Sequence, residues 1–464
     1  MKGTSTWSYA PYRPFFFDGG DIYVCRLAPG ETSLHCEWLS APGRDYELWL
    51  RPEGQGEYAR AARVTVPEAD VTGLSPETDY EFFITCGEER SRTRLFRTGR
   101  PVGTVVNYLH PRDGAYAFSG QYLCSPSMVR HPDGYLLSSM DLFAGGAPQN
   151  LTLIFRSDDD GKTWHYLTEL FPCFWGKLFI HRGEVYMLAC STEYGDLLIG
   201  KSADGGRSFG APTVLLRGSC KTAVAGVHKN PQPLVAYRGR LYGTLEWGAW
   251  AEGYHAAMVM SADENADLTD PASWRFTPPV KYDPAWPGVA EGPSAGNIEG
   301  SLVVAPDGRL LNVMRYDMTK CRPNFGRVLA YRVNAEDPDA PLTYDHAIAL
   351  PGNHSKFTIK RDEKTGLYFA IVSRILDETA VGSRNLLSLM MSRDLENWDV
   401  ACDLIDRRHE DPKTTGFQYV DWMIEGEDLI YLCRTAINQP HNFHDANYQT
   451  FHRLENFRNL LKLY

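Results

Sequence analysis

Arginine side chains recur at the same distance after several turn glycines of this sequence, and this spacing indicates that the protein binds or transforms an anion. Arg315, Arg374 and Arg434 each follow a turn glycine by seven or eight positions, at the end of an apolar run. A guanidinium group binds a carboxylate through two parallel hydrogen bonds, which an ammonium group does not do. Arginines brought together from these positions would therefore hold an acidic substrate, although the chain itself carries a net charge of −11.

Titratable and aromatic residues stand at two further sets of positions: those at the same distance after the remaining turn glycines, and those at the start of the apolar run before each turn. The equivalent positions after the other turn glycines are Asp141, Cys190 and Glu246. The apolar runs that lead into the turns begin near Ser125, Trp175, His228, Glu299, His354 and Tyr419. Strand ends without a function would alternate apolar and polar residues, so a set rich in Arg, Glu, His and Tyr predicts a binding or catalytic ring.

These positions meet only if the glycine turns belong to a repeat. A strand, a glycine turn and a second strand recur around Asp133-Gly134, Arg182-Gly183, Arg238-Gly239, Asp307-Gly308, Thr365-Gly366 and Glu425-Gly426. Six units of four short strands predict an all-β protein with a six-bladed β-propeller over residues 101–464. In each blade the start of the first strand and the end of the second would lie at one mouth of the central channel.

Two copies of a hairpin pattern support the repeat. Ser157–Trp164 and Ser202–Phe209 both read Ser-x-Asp-x-Gly-x-Ser/Thr-aromatic and follow an apolar run. The aspartate would cap the amides of the turn, the glycine would take a positive φ, and the aromatic ring would pack back between strands.

Residues 1–100 show a different pattern and are predicted to form a separate domain. Ser33–Trp38 and Tyr46–Leu50 alternate apolar and polar positions, as half-buried strands do. Thr72–Phe82 resembles the turn and the buried tyrosine strand of a fibronectin type III domain. That resemblance implies a β-sandwich whose role is to space, dock or dimerise the propeller rather than to perform chemistry.

The predicted propeller resembles the sialidase (neuraminidase) superfamily, whose Asp-box hairpins match the two hairpin patterns. Asn297–Arg315 is similar to the fourth blade of that family, which carries its glutamate and its second substrate-binding arginine. Phe417-Gln418-Tyr419 falls where the family keeps its tyrosine nucleophile, and Arg374 lies near its third arginine. The resemblance implies that Tyr419 and Glu299 are catalytic and that Arg315 and Arg374 bind the substrate.

The first blade departs from that family. Cys124-Ser125-Pro126-Ser127 stands where the family has the first arginine of its triad, so sialic acid itself is in doubt as the substrate. Arg434 is the predicted replacement charge. Asp141 is the candidate for the general acid of the family.

Elementary chemistry agrees with a phenol nucleophile. A tyrosine with a pKa of about 10 is a poor nucleophile until a neighbouring carboxylate takes its proton, and Glu299 is the natural partner. A neutral phenol also avoids the repulsion that a carboxylate nucleophile would meet at an anionic substrate. We therefore predict an exo-acting carbohydrate-active enzyme that hydrolyses the glycosidic bond of a terminal acidic sugar without a cofactor.

Two other interpretations use the same residues. A lyase that acts next to a uronic acid would neutralise the carboxylate with arginine and use histidine and tyrosine as base and acid. His228, His354 and the loop residues His441 and His444 supply candidates for that chemistry. A propeller that binds carbohydrate without cleaving it is the third interpretation.

Other ring and imidazole groups have predicted binding or structural roles. Trp286 stands in a long loop, either as a platform for a sugar or as a lid over blade joints. Glu246, His354 and His444 are predicted to contact the substrate. His441 and His444 have a His-x-x-His spacing, but bonds that brace the loop are favoured over a metal site.

Composition limits the compartment and the partners. No apolar run approaches the length of a membrane span, and the N-terminus Met1–Ser5 has no apolar signal core. The absence of a Cys-x-x-Cys pair argues against a zinc site. Ten scattered cysteines without a secretion signal favour reduced thiols, and therefore a cytoplasmic over a secreted location. The acidic balance argues against nucleic acid as a partner. The predicted arginine cluster makes an acidic oligosaccharide or glycoconjugate the expected partner, and self-association through the N-terminal domain is an open role.

Overall fold

The computed structural model describes residues 22–40 and 43–463, with side chains up to residue 461. Residues 1–21 lie outside the described residues. They include the N-terminus Met1–Ser5, where the sequence predicts no signal peptide, and the start of the predicted first domain. The regular secondary structure of the described chain is almost entirely β-strand. Its 3-10 helices are Gly114–Tyr116, Trp250–Glu252, Pro271–Ser273 and Phe457–Leu463. Among these residues no helix is long and apolar enough to cross a membrane.

The N-terminal region forms two antiparallel sheets. Its strands are β1 (Tyr23–Pro29), β2 (Ser33–Leu39), β3 (Tyr46–Pro52), β4 (Ala59–Val64), β5 (Glu68–Thr72), β6 (Asp79–Cys86), β7 (Glu89–Arg90) and β8 (Arg94–Arg97). One sheet has the order β1-β2-β5, and the other has the order β4-β3-β6-β7 with β8 also paired to β6. Trp38 and Phe82 come from different sheets and share one core. The hydroxyl of buried Tyr80 accepts a hydrogen bond from the Ser75 amide at 2.9 Å.

The rest of the described chain forms six antiparallel sheets, each with four strands in meander order and the third with one extra strand. The chain first passes through β9 (Thr104–Tyr108). The first three sheets contain β10 (Tyr122–Arg130), β11 (Leu136–Phe143), β12 (Thr152–Ser157) and β13 (His165–Leu170), then β14 (Phe174–His181), β15 (Glu184–Cys190), β16 (Leu197–Ser202) and β17 (Thr213–Leu216), then β18 (Gly226–His228), β19 (Val235–Tyr237), β20 (Arg240–Ala249), β21 (Tyr254–Asp263) and β22 (Trp274–Phe276).

The last three sheets follow the same pattern. They contain β23 (Asn297–Val304), β24 (Leu310–Tyr316), β25 (Arg327–Arg332) and β26 (Thr343–Ala349), then β27 (Ile359–Arg361), β28 (Tyr368–Ser373), β29 (Leu386–Ser392) and β30 (Trp398–Asp406), then β31 (Gly416–Glu425), β32 (Asp428–Ala436) and β33 (Tyr448–Leu454). The fourth strand of the sixth sheet is β9, which pairs with β33. The start and the end of this region are thus joined in one sheet.

The turns and hairpins lie where the sequence pattern puts them. Each of the six turn glycines has a positive φ, from 62° at Gly426 to 92° at Gly134. In the first hairpin, Asp159 accepts hydrogen bonds from the amide of Thr163 at 2.8 Å and from its hydroxyl at 2.7 Å. Trp164 is fully buried and donates to the Gly161 carbonyl at 3.2 Å.

The N-terminal sheets dock on the sixth and first of the later sheets through buried polar groups. Arg26 donates to the Val106 carbonyl at 2.8 Å and to Glu37 at 2.8 Å. Glu37 also accepts from the Tyr166 amide at 2.9 Å and lies 3.1 Å from His165 Nδ1. Buried polar contacts of this kind depend on orientation, so they fix how the two regions sit together.

The ten cysteines all belong to the described residues and are free thiols. Nine are buried or half-buried. Burial raises the pKa of Cys190 to about 12, so this thiol stays protonated and behaves as a small apolar group.

Candidate active site

Four inner strands carry the same irregularity at one level. The register of β10, β14, β23 and β31 against the next strand shifts by a β-bulge. The residues at these bulges have φ values of 47° at Ser125, 52° at Trp175, 58° at Glu299 and 55° at Tyr419. A side chain with a Cβ rarely adopts this region, and bulges re-aim side chains beside functional sites. The repeated strain marks this level of the molecule as a candidate site.

Tyr419, Arg315 and Glu299 meet there. Arg315 Nη1 donates to Glu299 Oε2 at 2.5 Å and to the Tyr419 hydroxyl at 3.3 Å. Glu299 is 4% exposed, whereas Tyr419 and Arg315 are half-buried. The structure therefore brings the predicted phenol, carboxylate and guanidinium into one group, in which the phenol and the guanidinium are the more exposed members.

Electrostatics separate the proton affinities of the two acids. Burial alone would raise the pKa of Glu299, but the charges of Arg315 and His228 and the bonds from Arg315 and Tyr419 hold that pKa below its usual value. Burial and the charge of Glu299 raise the pKa of Tyr419. Before a substrate binds, the group therefore holds a neutral phenol beside an ionised carboxylate.

Two further guanidinium groups flank the phenol. Arg434 Cζ lies 5.0 Å and Arg384 Cζ lies 5.6 Å from the centre of the Tyr419 ring. Arg384 donates to the His354 carbonyl at 2.8 Å and to the Gln418 side chain, and Arg434 donates to Cys124 Sγ at 3.1 Å and to the His444 carbonyl. Among the described residues neither has a carboxylate within ion-pair distance.

Burial makes those unpaired cations costly. Arg384 is 7% exposed and Arg434 is 2% exposed. Burial lowers the pKa of Arg384 to about 10, and the nearby charges of Arg315 and Arg434 add to that effect. Two desolvated guanidinium groups without a carboxylate partner are suited to bind an anion, because a bound carboxylate would supply the missing negative charge.

His228 and Glu246 form a second hydrogen-bonded pair of titratable residues next to the Tyr419, Arg315 and Glu299 group. His228 Nδ1 lies 2.6 Å from Glu246 Oε2, and both side chains are buried. The other oxygen of Glu246 accepts from the Gly300 amide at 3.3 Å, next to Glu299 in the chain. Burial raises the pKa of Glu246, against the opposing bond from His228. This pair can hold a proton close to Glu299.

Asp141 and His354 lie beside the group and are engaged elsewhere. Asp141 is fully buried, accepts a hydrogen bond from Thr152 at 2.5 Å, and has one oxygen without a partner among the described atoms. Burial raises the pKa of Asp141 to about 7. His354 Nε2 lies 2.7 Å from the Asn324 carbonyl, and burial lowers the pKa of His354 to about 4.

Arg374 and Trp286 are not brought to Tyr419 by any described contact. Arg374 Nη2 donates to Asp403 at 2.7 Å, so its charge is already paired on the outer strands of the fifth sheet. Trp286 stacks on Tyr344 with ring centres 4.5 Å apart and planes at 3°. Register from the turn glycine placed Arg374 at the end of β28, but it did not show the nearby carboxylate.

The loop between β32 and β33 places His444 beside Tyr419, and both histidines of this loop are bonded to Asp445. His444 and His441 both lie 2.8 Å from oxygens of Asp445 through Nδ1, which braces the loop. His444 packs edge-on to Tyr419 at 6.5 Å, and burial lowers its pKa to about 3, so it stays neutral. The described side chains that do converge as metal ligands are His35, Glu37 and Glu68, but Glu37 is committed to the contact between the two regions.

Arg384 is the functional candidate that sequence reasoning missed. It stands in the connection between β28 and β29, two residues before β29 begins. Counting from the turn glycines predicts only the residues at the strand ends, so it gives no information about residues in the loops between strands. The signal that was present is its place in the second-to-third strand connection, the same kind of loop that supplies His444.

No protein-family model matches this sequence, and no curated protein matches it. Among solved structures, a leech intramolecular trans-sialidase aligns with 99% of this chain and 94% of its own, at 10% identity and a TM-score of 0.51. An α-L-arabinanase of Penicillium chrysogenum aligns with 76% of this chain and 99% of its own, at 14% identity and a TM-score of 0.49. A sialidase of Streptococcus pneumoniae aligns with 94% of this chain and 93% of its own, at 9% identity and a TM-score of 0.47. The first likeness shows the fold: an all-β chain with a sialidase-like β-propeller.

Proposed function

We propose that this chain is an exo-acting glycosidase that removes a terminal acidic sugar. The observation that carries the proposal is the pair of buried arginines, Arg384 and Arg434, which flank Tyr419 without a carboxylate of their own among the described residues. A substrate carboxylate placed between them would leave the adjoining sugar ring over the Tyr419 hydroxyl. A solved structure with a similar fold is an intramolecular trans-sialidase, which supports this substrate class.

The proposed reaction is a double displacement at the anomeric carbon. Tyr419 Oη forms a bond to that carbon while Glu299 takes the phenol proton and the bond to the leaving oxygen breaks. Arg315 stays bonded to Glu299 and limits the rise of negative charge on the phenol oxygen. Water then attacks the same carbon, the phenoxide leaves, and Glu299 returns the proton.

The leaving oxygen needs a proton donor, and we assign that role to His228. His228 is among the groups that lower the pKa of Glu299, and Glu246 binds its Nδ1, which leaves Nε2 available to the leaving oxygen. Asp141 fits the role less well, because it accepts a hydrogen bond from Thr152 and is not among the groups that act most strongly on Glu299 or Tyr419. In this scheme His228 gives its proton to the leaving group and later takes one from the attacking water.

A second candidate reaction is β-elimination beside a uronic acid. The close approach of His228 to the Tyr419–Glu299 group favours it, since an imidazole base and a phenol acid are what that reaction requires. The arginine pair would then neutralise the carboxylate and acidify the neighbouring C–H. Both reactions use the same anion site, and only their products differ.

We also propose a domain plan. The six later sheets would be the six blades of the propeller, with β9 closing the last blade. The two N-terminal sheets would be a fibronectin type III-like sandwich that ends near residue 100, supported by the bond from Ser75 to the hydroxyl of Tyr80. Its buried contacts with the propeller give it a docking role.

The test is a substrate screen with two readouts. Terminal sialosides, keto-sugar acids and uronides are incubated with the full chain, and both reducing-sugar release and ultraviolet absorbance are followed. Hydrolysis yields a saturated acidic sugar, whereas elimination yields a conjugated double bond. Absence of any product, together with no binding of acidic over neutral sugars by calorimetry, would refute the proposal.

A further inference from the structure

Three lysines approach one short segment between the first strands of the later sheets. We call them the lysine cluster: Lys177 in β14, Lys356 just before β27, and Lys360 within β27. Lys177 and Lys356 are 3% and 1% exposed, and Lys360 is half-buried. All three ammonium groups donate hydrogen bonds to residues 420–422 of β31. Positive charge from the second and fifth sheets is thus concentrated on one strand of the sixth.

A single carboxylate pairs with the lysine cluster. Asp421 Oδ2 accepts hydrogen bonds from Lys177 and, at 2.7 Å, from the Met128 amide. Its Oδ1 has no hydrogen-bond partner among the described atoms. Lys356 and Lys360 donate instead to the backbone carbonyls on either side of Asp421, at 2.8 Å for Lys356. In the part of the chain that the structure describes, neither of these two lysines has a carboxylate within ion-pair distance.

The lysine cluster therefore has spare donors and excess positive charge. Each ammonium group has three N–H donors, and one carbonyl uses only one of them. Carbonyls two residues apart on a strand point to the same side and lie about 6.6 Å apart, so ammonium groups bonded to them can both touch one small ion. Burial and the charge of Lys177 lower the pKa of Lys356 and of Lys360 to about 8, although Asp421 opposes both shifts. Both side chains are still mostly protonated at neutral pH, and their repulsion is only partly offset.

The lysine cluster lies behind the Tyr419 group and is not used by it. The Ser355 hydroxyl accepts a hydrogen bond from the Tyr419 amide at 3.4 Å, and Lys356 is the next residue in the chain. Glu299 also acts on the pKa of Lys356, but its charge is already paired with Arg315. The positive charge of the cluster is therefore left for another anion.

We propose that Lys356 and Lys360 bind one chloride ion, with Lys177 adding to the positive charge around it. An ammonium group is a compact point charge and suits a spherical ion, whereas the guanidinium forks of Arg384 and Arg434 match a planar carboxylate. A bound chloride would take up the spare donors and offset the repulsion within the cluster. It would bind the folded chain whether or not the chain is a glycosidase, so its test needs no substrate.

The experiment has a crystallographic and a solution readout. Bromide replaces chloride and scatters X-rays anomalously, so crystals of the full chain grown in sodium bromide should show an anomalous peak in contact with Nζ of Lys356 and of Lys360. In solution, sodium chloride replaces sodium methanesulfonate at constant ionic strength. The thermal midpoint of the wild type should rise by about 3 °C once chloride is in about a hundredfold excess over its Kd.

Methionine variants show whether the lysine cluster causes that rise. Lys356→Met and Lys360→Met keep the length of the side chain and remove its charge, so each should lose most of the rise. The matched control is Lys229→Met, which removes another buried lysine, bonded to the carbonyls of Trp175 and Asn230 at 3.0 Å, and should keep the rise. An equal rise in the wild type and in Lys356→Met and Lys360→Met would overturn the inference. So would a wild-type crystal without a bromide peak at the cluster, a result that does not depend on the folding of any variant.

Discussion

Replacing Arg384 by methionine should weaken anion binding without weakening the fold. Burial lowers the pKa of Arg384 from its usual value of 12.5 to about 10. That difference means that the charged side chain destabilises the folded state by about 3 kcal/mol at neutral pH. The two hydrogen bonds lost with it, to Gln418 and to the His354 carbonyl, have a charged donor and contribute about 1.5 kcal/mol each. The two effects nearly cancel, so the free energy of unfolding of Arg384→Met should stay within about 1 kcal/mol of the wild type.

Binding, by contrast, should weaken. A charge-assisted hydrogen bond to a substrate carboxylate contributes about 1.5–3 kcal/mol, so Arg384→Met should raise the Kd for an acidic sugar by roughly 10- to 150-fold. The Kd for the neutral sugar of the same ring size should not change. Calorimetry gives both constants, and urea unfolding gives the stability of each variant.

Two other arginines serve as controls. Arg315→Met leaves Glu299 buried without its ion pair, so it should lose about 3–5 kcal/mol of stability. Arg374→Met removes a side chain already paired with Asp403, so acidic-sugar binding should remain as in the wild type. The reasoning is refuted if Arg384→Met unfolds as easily as Arg315→Met, or if it binds acidic sugars as tightly as the wild type.

Three more outcomes follow from the geometry. Tyr419→Phe should reduce kcat at least about a thousandfold while the substrate Kd changes little, since only the attacking oxygen is removed; a kcat near that of the wild type contradicts the nucleophile assignment. Burial raises the pKa of Asp141 to about 7, so the stability of Asp141→Asn relative to the wild type should rise by at most about 4 kcal/mol between pH 4 and pH 7. Denaturant unfolding at pH 4 and pH 8 measures this, and an equal difference in unfolding free energy between the two proteins at both pH values contradicts it. The bond to Glu37 raises the pKa of His165 although burial opposes it, so His165→Ala should be more destabilising at pH 5 than at pH 9, where the wild-type imidazole has lost its proton. Thermal unfolding at both pH values measures the effect, and a loss of stability that does not depend on pH excludes the charge of His165 as its cause.

Local patterns predicted the strands and the bulged residues of the site well. Glycine turns have strong local rules, so the register of Glu299, Arg315 and Tyr419 could be counted from them. The same count placed Arg374 at a strand end and could not show that Asp403 neutralises it. Pairing of that kind depends on a carboxylate from a strand thirty residues later, and local sequence does not encode its distance.

Loop residues and contacts between regions were beyond the reach of the sequence. Arg384 stands in an irregular connection, whose path is set by the bridge between Arg384 and Gly416 rather than by a periodic pattern. Likewise, Thr72–Phe82 indicated a sandwich but not its docking through Glu37 and His165. Both depend on side chains that are distant in sequence and become neighbours only when the sheets close on each other.

The strained bulges, and the arginines without a carboxylate partner, support the proposal of an enzyme over that of a binding scaffold. Left-handed φ values at Glu299 and Tyr419 cost of order 1–3 kcal/mol each, and an unpaired buried guanidinium such as Arg384 adds a similar cost. A sheet-forming chain gains nothing in stability from either feature, and binding a carboxylate needs only the arginines. The bulges have a separate effect: they bring a phenol and an ionised carboxylate to one guanidinium nitrogen. That geometry serves proton transfer from Tyr419, so the strain at the bulges favours catalysis over simple binding.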